Sequence, residues 1–231
     1  MSESFKKEWD KITKSIDSGH HFDNVPDTLI KDYAEKHMPF IQQILKNTHK
    51  EQVNDLLEIG FGRGLIATYL SCLDNVCVYG IEKNPGYIKL ALATSKHFNG
   101  NLAEDNFVLG DLYDLHISQL PENRFDIVYN QGVFHHFKDY VIRNFLDELL
   151  TFSDVIIFSV PSYAHPYNDG IDRKPSGYFL EDEVERFLRI EDWGRILEKY
   201  DVKMFYYSHS PDNSTDIITN MSICITVKVK T

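Results

Sequence analysis

Three glycines on alternate positions stand out in this sequence: Gly60, Gly62 and Gly64, within the stretch LLEIGFGRGL. They follow an apolar run that is typical of a buried strand, and they precede the apolar start of a helix. Glycine costs stability in a regular element, so this cluster indicates that the backbone itself is needed here. Without Cβ atoms a ligand can lie against the backbone, and amides at a helix start point outward as donors. The turn is therefore predicted to bind a ligand.

Acidic and amide side chains follow several predicted strands at the point where each strand ends. Glu58 precedes the glycines, Glu82 ends the second strand and Asp111 follows the third. Asn130 and Gln131 end the fourth strand. Because the carboxyl ends of parallel strands line one edge of a sheet, these side chains should form a row. Such a row suits a nucleoside, since a carboxylate can accept two ribose hydroxyls and an acid beside an amide can read adenine.

Two adjacent histidines, His135 and His136, come just beyond the fourth predicted strand, in QGVFHHFKD. Histidine has an ordinary pKa near neutrality, so either residue is a candidate base for a substrate hydroxyl. The alternative is that they hold the loop by hydrogen bonds. A metal site is not predicted, because adjacent histidines do not easily converge on one ion and no clear i,i+4 pair accompanies them.

Strand and helix patterns alternate along the middle of the chain. Strands are predicted at 53–59, 76–82, 106–111, 125–131 and 154–160. Apolar strands separated by helices are typical of a parallel sheet with helices on both faces. Two further strand patterns, at 201–210 and 220–230, leave no room for a crossover helix and should pair antiparallel. The prediction is an α/β fold with a seven-stranded, mostly parallel sheet and an antiparallel terminal strand.

The segments flanking this alternation have separate predicted roles. Residues 1–50 are predicted to form a helical N-terminal cap that acts as a mobile lid, with a break or kink at Pro39. Residues 51–231 form the main domain. The stretch at about 161–190 is long for a strand-to-helix connection and is predicted to be a substrate loop. The candidate substrate residues are Tyr163, His165, Tyr167 and Arg173 in this loop, and Tyr33 in the cap.

Composition limits the classes of partner. The formal net charge of −11 repels phosphate backbones, so a nucleic-acid partner is not expected. No apolar run is long enough for a membrane span, and the charged start MSESFKKEWDKITKSID lacks the apolar core of a signal peptide. The expectation is a cytoplasmic protein without a membrane partner, either a monomer or a homodimer.

Four stretches together resemble the successive motifs of class I S-adenosylmethionine-dependent methyltransferases. They are LLEIGFGRG, YGIEKNP, VLGDLYDL and RFDIVYNQGVFHHF. The resemblance covers about residues 53–160. It implies a Rossmann-like fold, S-adenosylmethionine as cofactor and S-adenosylhomocysteine as product. Leu65 stands where the dinucleotide fingerprint G-x-G-x-x-G needs its third glycine, which disfavours an NAD-dependent oxidoreductase.

The resemblance also implies roles for individual residues. Glu58 and the Gly60–Gly64 backbone would hold the methionine end of the cofactor, and Glu82 would bind the ribose hydroxyls. Asn130 and Gln131 would close the floor near the methionyl portion. The adenine contacts implied are Lys83, Asp111 and Leu112. Because the sulfonium is cationic, aromatic faces could stabilise it, and the candidates are Phe61, Tyr33 and Phe134.

The function predicted is methyl transfer to a small-molecule acceptor, on oxygen or nitrogen, possibly in natural-product metabolism. No N-P-P-Y or D-P-P-Y tetrapeptide follows the fourth strand, which disfavours nucleic-acid methylation. Two alternatives stay open. One is a protein or peptide methyltransferase, and the other is a non-catalytic partner that binds S-adenosylmethionine. Detection of methyl transfer would separate the enzyme from the binder.

Overall fold

The computed structural model describes residues 25–111, 119–162, 187–208 and 221–230, together with Lys14 and Ser18. The helices within these ranges are α1 Leu29–Lys36, α2 Met38–Leu45, α3 Leu65–Ser71, α4 Pro85–His97, α5 Asp139–Phe152 and α6 Ile190–Ile196. The strands are β1 Asn54–Ile59, β2 Val76–Glu82, β3 Phe107–Leu109, β4 Ile127–Gln131, β5 Val155–Pro161, β6 Asp201–Ser208 and β7 Met221–Lys228. They form a seven-stranded, mostly parallel sheet, as predicted.

Contacts along the chain define two compact units. The first unit combines Met1–Glu35 with His49–Asn123, and the second combines Lys36–Thr48 with Arg124–Thr231. Strands β1 to β3 belong to the first unit and β4 to β7 to the second. The division of the chain into a cap at 1–50 and a main domain at 51–231 stays a prediction. None of the helices in the described ranges is long and apolar enough to cross a membrane.

The first unit is built on three parallel strands in the order β3-β2-β1. Strand β1 is buried because Leu56, Leu57 and Ile59 are apolar and face packed neighbours. Register places Ile59 beside Ile81 and Glu82 beside Leu109. The turns that follow β1 and β2 therefore start side by side at the carboxyl edge, where ligands bind in open α/β sheets.

The second unit contains the predicted antiparallel hairpin. Its strand order is β4-β5-β7-β6, with β4 and β5 parallel and β7 antiparallel to both β5 and β6. Residues 222–227 of β7 are all buried, including the small polar side chains of Ser222 and Thr226. Both faces of β7 are covered, so its alternation of apolar and small polar residues reflects a strand inside the sheet and not a half-exposed strand.

The helical pattern before β1 is interrupted next to Pro39, as predicted. Helix α1 ends at Lys36, α2 begins at Met38, and His37 lies between them. Proline fits the first turn of α2, where its missing N–H has no helical partner to lose. Helix α2 buries its apolar face in the second unit, where the Phe40 ring lies 6.5 Å from the Tyr129 ring of β4.

Candidate functional site

The glycine turn after β1 has a backbone that only glycine adopts at low cost. Gly60, Gly62 and Gly64 have φ angles of 68°, 50° and 67°. A Cβ on Gly64 would lie 2.6 Å from the Cβ of Ala91, so this glycine is required for packing against α4. A Cβ on Gly62 would meet nothing within 4 Å. The Gly62 backbone therefore borders open space, in which a ligand can lie against it.

The Glu82 carboxylate is held by the backbone on both of its oxygens. Oε2 accepts from the Gly62 N–H at 3.1 Å, and Oε1 accepts from the Asn84 N–H at 3.1 Å. The side chain is only 6% exposed, and burial raises the pKa of Glu82, although these backbone donors and Lys83 act to lower it. Each carboxylate oxygen has a second lone pair, so the fixed carboxylate can accept further hydroxyl donors.

Asn84 is a site residue that the sequence reasoning missed. Its Oδ1 accepts from the Gly86 N–H at 3.0 Å and caps the start of α4. The cap fixes the turn after β2 and thereby aims the Asn84 N–H at Glu82. The signal was present, because asparagine directly before Pro85 is a typical helix start.

The other candidates of the first unit occupy different environments. Glu58 is buried on β1 beside Gly80, Lys83 is exposed, and Asp111 is partly exposed after β3. Tyr33 is partly buried on α1. Leu112 lies outside the described residues.

The Phe61 side chain lies in a packed environment. Its ring packs against Phe107 at 5.0 Å and joins a buried cluster with Ala91. The rings fill the space left by Gly80, where a Cβ would lie 2.6 Å from both. The Phe61 side chain therefore packs in the core of the first unit, and its contact with the cofactor stays a prediction.

In the second unit, Asn130 at the end of β4 is the clearest candidate for a ligand contact. Its side chain is fully buried, yet neither Nδ2 nor Oδ1 has a hydrogen-bond partner. A buried polar group without a partner costs about 1–3 kcal/mol, so proteins rarely leave one unless something else satisfies it. A bound ligand that reaches both amide atoms would remove this cost.

His135 and His136 lie in a short 3-10 turn, Phe134–His136, that follows Gly132. Their rings are 3.8 Å apart, and His135 Nδ1 has no hydrogen-bond partner. Burial, and secondarily the neighbouring His136, lowers the pKa of His135 to about 3. The expectation of an ordinary pKa near neutrality is therefore wrong for His135: the ring stays neutral but is a weak proton acceptor.

A polar cluster that was not predicted from the sequence lies in the same unit. The Tyr207 hydroxyl is 2.6 Å from Ser159 Oγ and 3.3 Å from His37 Nδ1. Gln131 Nε2 is 2.8 Å from Nδ1 and 2.9 Å from Nε2 of the same imidazole. We call these four residues the His37 network. The predicted substrate residues Tyr163, His165, Tyr167 and Arg173 lie outside the described residues.

The chain was compared with known families and structures. Residues 57–150 match the family model described as a methyltransferase domain. An S-adenosylmethionine-dependent methyltransferase from Clostridium acetobutylicum ATCC 824 shares 13% identity over 99% of this chain and 98% of that chain, with a TM-score of 0.56. The magnesium protoporphyrin IX methyltransferase ChlM from Synechocystis PCC 6803, with bound S-adenosylmethionine, shares 14% identity over 84% of this chain and 77% of that chain. Its TM-score is 0.54.

A third similar structure is the N-methyltransferase NodS from Bradyrhizobium japonicum WM9, with 12% identity over 87% of this chain and 98% of that chain and a TM-score of 0.57. At these identities the solved structures show a shared fold. Among curated proteins, none matches this sequence. The match over residues 57–150 and the shared fold agree with the sequence motifs, so this part of the chain is similar to class I S-adenosylmethionine-dependent methyltransferases. One similar structure contains S-adenosylmethionine and another contains S-adenosylhomocysteine, which are the predicted cofactor and product.

Proposed function

We propose that this chain binds S-adenosylmethionine and transfers its methyl group to a small-molecule acceptor. The observation that carries the proposal is the open space at Gly62 beside a buried carboxylate that the backbone already holds. When bound, the cofactor supplies a methyl carbon on a sulfonium sulfur, which keeps the bonding electron pair when the methyl group leaves.

The residues of the first unit fit the nucleoside part of this cofactor. Glu82 has free lone pairs on a fixed carboxylate and would accept the two ribose hydroxyls. The Gly60–Gly64 backbone, preceded by Glu58, would hold the methionine end. Lys83 and Asp111 would contact the adenine, together with Leu112.

The second unit contributes candidate residues for the methionyl portion and the acceptor. The unsatisfied amide of Asn130 fits a group that offers both a donor and an acceptor, as an amino-acid portion does. Gln131 would close the floor near the same portion of the cofactor. The acceptor is proposed to carry a hydroxyl or an amine. His136 stays a candidate base with His135, whose low pKa weakens its case.

The small-molecule proposal is supported by the acidic net charge and by the names of similar structures. ChlM is a magnesium protoporphyrin IX methyltransferase, and NodS is an N-methyltransferase. A further similar structure is the CurJ carbon methyltransferase, so the fold serves different acceptor atoms. A peptide acceptor, or binding without chemistry, would be the alternatives if no small acceptor is methylated.

Isothermal titration calorimetry tests the cofactor. We expect S-adenosylmethionine and S-adenosylhomocysteine to bind and NAD to give no heat. Binding of NAD but of neither sulfur compound would contradict the proposal. Incubation with radiolabelled S-adenosylmethionine and panels of hydroxyl, amine and peptide acceptors then separates an enzyme from a binder. Label in peptides alone would favour the protein methyltransferase alternative.

A further inference from the structure

The His37 network joins four side chains that lie far apart in the sequence. His37 and Tyr207 are 170 positions apart, and His37 and Gln131 are 94 positions apart. His37 precedes α2 as its N-cap residue, but its side chain makes no capping hydrogen bond to that helix. Its imidazole is 7% exposed and contacts β4 and β6 instead. The buried His37 side chain therefore makes contacts inside the second unit and does not cap a helix.

The Gln131 contact of His37 suits a ring with one unprotonated nitrogen. An amide nitrogen can only donate hydrogen bonds, and Gln131 Nε2 lies within 2.9 Å of both ring nitrogens. In a doubly protonated ring, both ring N–H groups would face the Gln131 amide nitrogen, which is also a donor. The neutral ring keeps one lone pair, which can receive a proton. Rotation of the Gln131 amide would then bring its carbonyl oxygen to the charged ring as an acceptor.

The Tyr207 hydroxyl and Ser159 restrain the same ring. The short 2.6 Å contact between Tyr207 Oη and Ser159 Oγ fixes the hydroxyl, which lies 3.3 Å from His37 Nδ1. The two rings meet edge to face, with centroids 6.3 Å apart. A hydroxyl can donate to or accept from the imidazole, so it can accompany either protonation state. This environment is unlike that of His135, whose Nδ1 has no partner.

Asn130 supplies a second, independent indication that a ligand reaches this strand end. It precedes Gln131 on β4 and leaves both amide atoms unsatisfied while fully buried. Consecutive strand residues point to opposite faces of the sheet, so the Asn130 and Gln131 side chains lie on different faces at the end of β4. Asn130 marks the carboxyl end of β4 as a place where a ligand would complete the fold, and the His37 network meets the same strand end through Gln131.

We propose that His37 is the catalytic residue that takes up the proton of the methyl acceptor, with Tyr207 and Ser159 as positioning residues. This inference rests on the proposed methyl transfer and names its acceptor class: a molecule whose attacking atom carries a removable proton. The acceptor O–H bond breaks and its proton moves to a ring nitrogen of His37. The oxygen pair forms the bond to the methyl carbon as the carbon–sulfur bond breaks, and the electron pair of that bond stays on sulfur. The imidazolium returns its proton to water after the product leaves.

The first test is kinetic and uses the full chain with a hydroxyl compound from the acceptor panel that the wild type methylates. His37→Gln is expected to lower kcat by about 100-fold or more, with the affinity for S-adenosylmethionine unchanged. Tyr207→Phe is expected to lower kcat by about 10-fold. Added imidazole should restore part of the activity of His37→Ala. His97→Gln, an exposed histidine on α4, is the control and should keep full activity.

The second test does not depend on activity and keeps the inference open to contradiction if a variant does not fold. Nitrogen-15 NMR of the wild-type imidazoles should show a neutral His37 ring at pH 7, with one protonated and one unprotonated nitrogen. Tyr207→Phe should change the ratio of the two neutral tautomers. A His37 ring protonated on both nitrogens at pH 7 would overturn the proposal.

The outcomes separate this inference from the proposed function. Full activity of His37→Gln, or a larger loss from His135→Gln than from His37→Gln, would overturn the role of His37 and leave methyl transfer standing. A wild-type chain that binds S-adenosylmethionine but methylates no acceptor would contradict the proposed function and, with it, this proton transfer.

Discussion

The two units prepare for ligands in different ways. In the first unit the candidate site is made largely of backbone: the Gly62 N–H holds Glu82, and Gly62 borders open space. In the second unit it is made of side chains, namely the His37 network and the unsatisfied Asn130 amide. A site made of backbone groups changes little when side chains are substituted, so it suits a ligand that stays the same among related proteins. A side-chain site can change with single substitutions, which suits an acceptor that differs among related enzymes.

Charge separates the two regions as well. The first places one buried carboxylate among backbone donors, and the second assembles neutral amides, hydroxyls and imidazoles. A fixed carboxylate binds hydroxyls tightly without moving. Neutral groups can exchange donor and acceptor roles, and proton transfer needs that exchange. Substitutions in the first unit should therefore change cofactor affinity, and those in the His37 network should change turnover.

The largest expected effect is that of Gly64→Ala, which should lower the free energy of unfolding by about 2–4 kcal/mol. Its left-handed φ of 67° is strained for alanine, and the new Cβ would lie 2.6 Å from that of Ala91. Gly62→Ala is the matched control, since it shares the left-handed backbone but points into open space. It should cost only about 1–2 kcal/mol of stability and lose cofactor affinity. Urea unfolding and calorimetry measure both, and equal losses of stability would contradict the distinction.

This contrast shows what the sequence could reveal. The glycine turn after β1 was predictable from residue types and spacing, and β2 has the predicted bounds because its apolar run is local. The break before Pro39 and the antiparallel hairpin were predictable for the same reason. Each depends on a few consecutive residues and on backbone preferences that hold in any protein.

The His37 network could not be predicted in that way. Its hydrogen bonds join residues 94 and 170 positions apart, so no local pattern carries them. The low pKa of His135 depends on burial by the folded chain, and the packing role of Phe61 depends on the missing side chain of Gly80. Sequence reasoning found the strand ends that carry the candidate site, but it could not tell which side chains meet there.

The next largest effect concerns the carboxylate of the first unit. Glu82→Ala should weaken S-adenosylhomocysteine binding by about 1–3 kcal/mol, the range for hydrogen bonds to a charged group. Calorimetry measures the loss, and Glu82→Gln, which keeps one acceptor for the backbone donors, guards against a folding defect. Glu104→Ala removes an exposed acid from the same unit and should bind normally. Unchanged affinity in Glu82→Ala would remove Glu82 from the ribose role.

A smaller effect should appear in the pH dependence of stability. The pKa of His135 is about 3 in the folded chain, against 6.5 for a histidine in the unfolded chain. Below pH 6.5 the unfolded state therefore binds a proton that the folded state does not. Stability should therefore be lost as pH falls from 6.5 towards 3, by up to about 1.4 kcal/mol per pH unit. His135→Gln should remove this slope, and the exposed His97→Gln should keep it. Parallel urea-unfolding curves for wild type and His135→Gln between pH 7 and pH 5 would show that His135 titrates normally.

The smallest expected effect on stability is that of Asn130→Leu, and it tests the comparison directly. Replacing an unpartnered buried amide by an apolar side chain should change the free energy of unfolding by less than about 1 kcal/mol, because no hydrogen bond is lost. Asn54 is the matched control in the first unit. It is equally buried, but its amide bonds to backbone groups of His49, Gln52 and Asn75.

Asn54→Leu should therefore cost at least about 1–3 kcal/mol, because it leaves buried backbone groups unsatisfied. The effect on ligand-induced stabilisation should follow the opposite order. Asn130→Leu should lose most of the thermal stabilisation that S-adenosylhomocysteine gives the wild type, since the amide meets its partners only when ligand is bound. Asn54→Leu should have a lower Tm without ligand but should show the same increase in Tm when S-adenosylhomocysteine is added. If Asn130→Leu destabilises the ligand-free chain as much as Asn54→Leu does, the Asn130 amide serves the fold, and the second unit would contact its ligand through the His37 network alone.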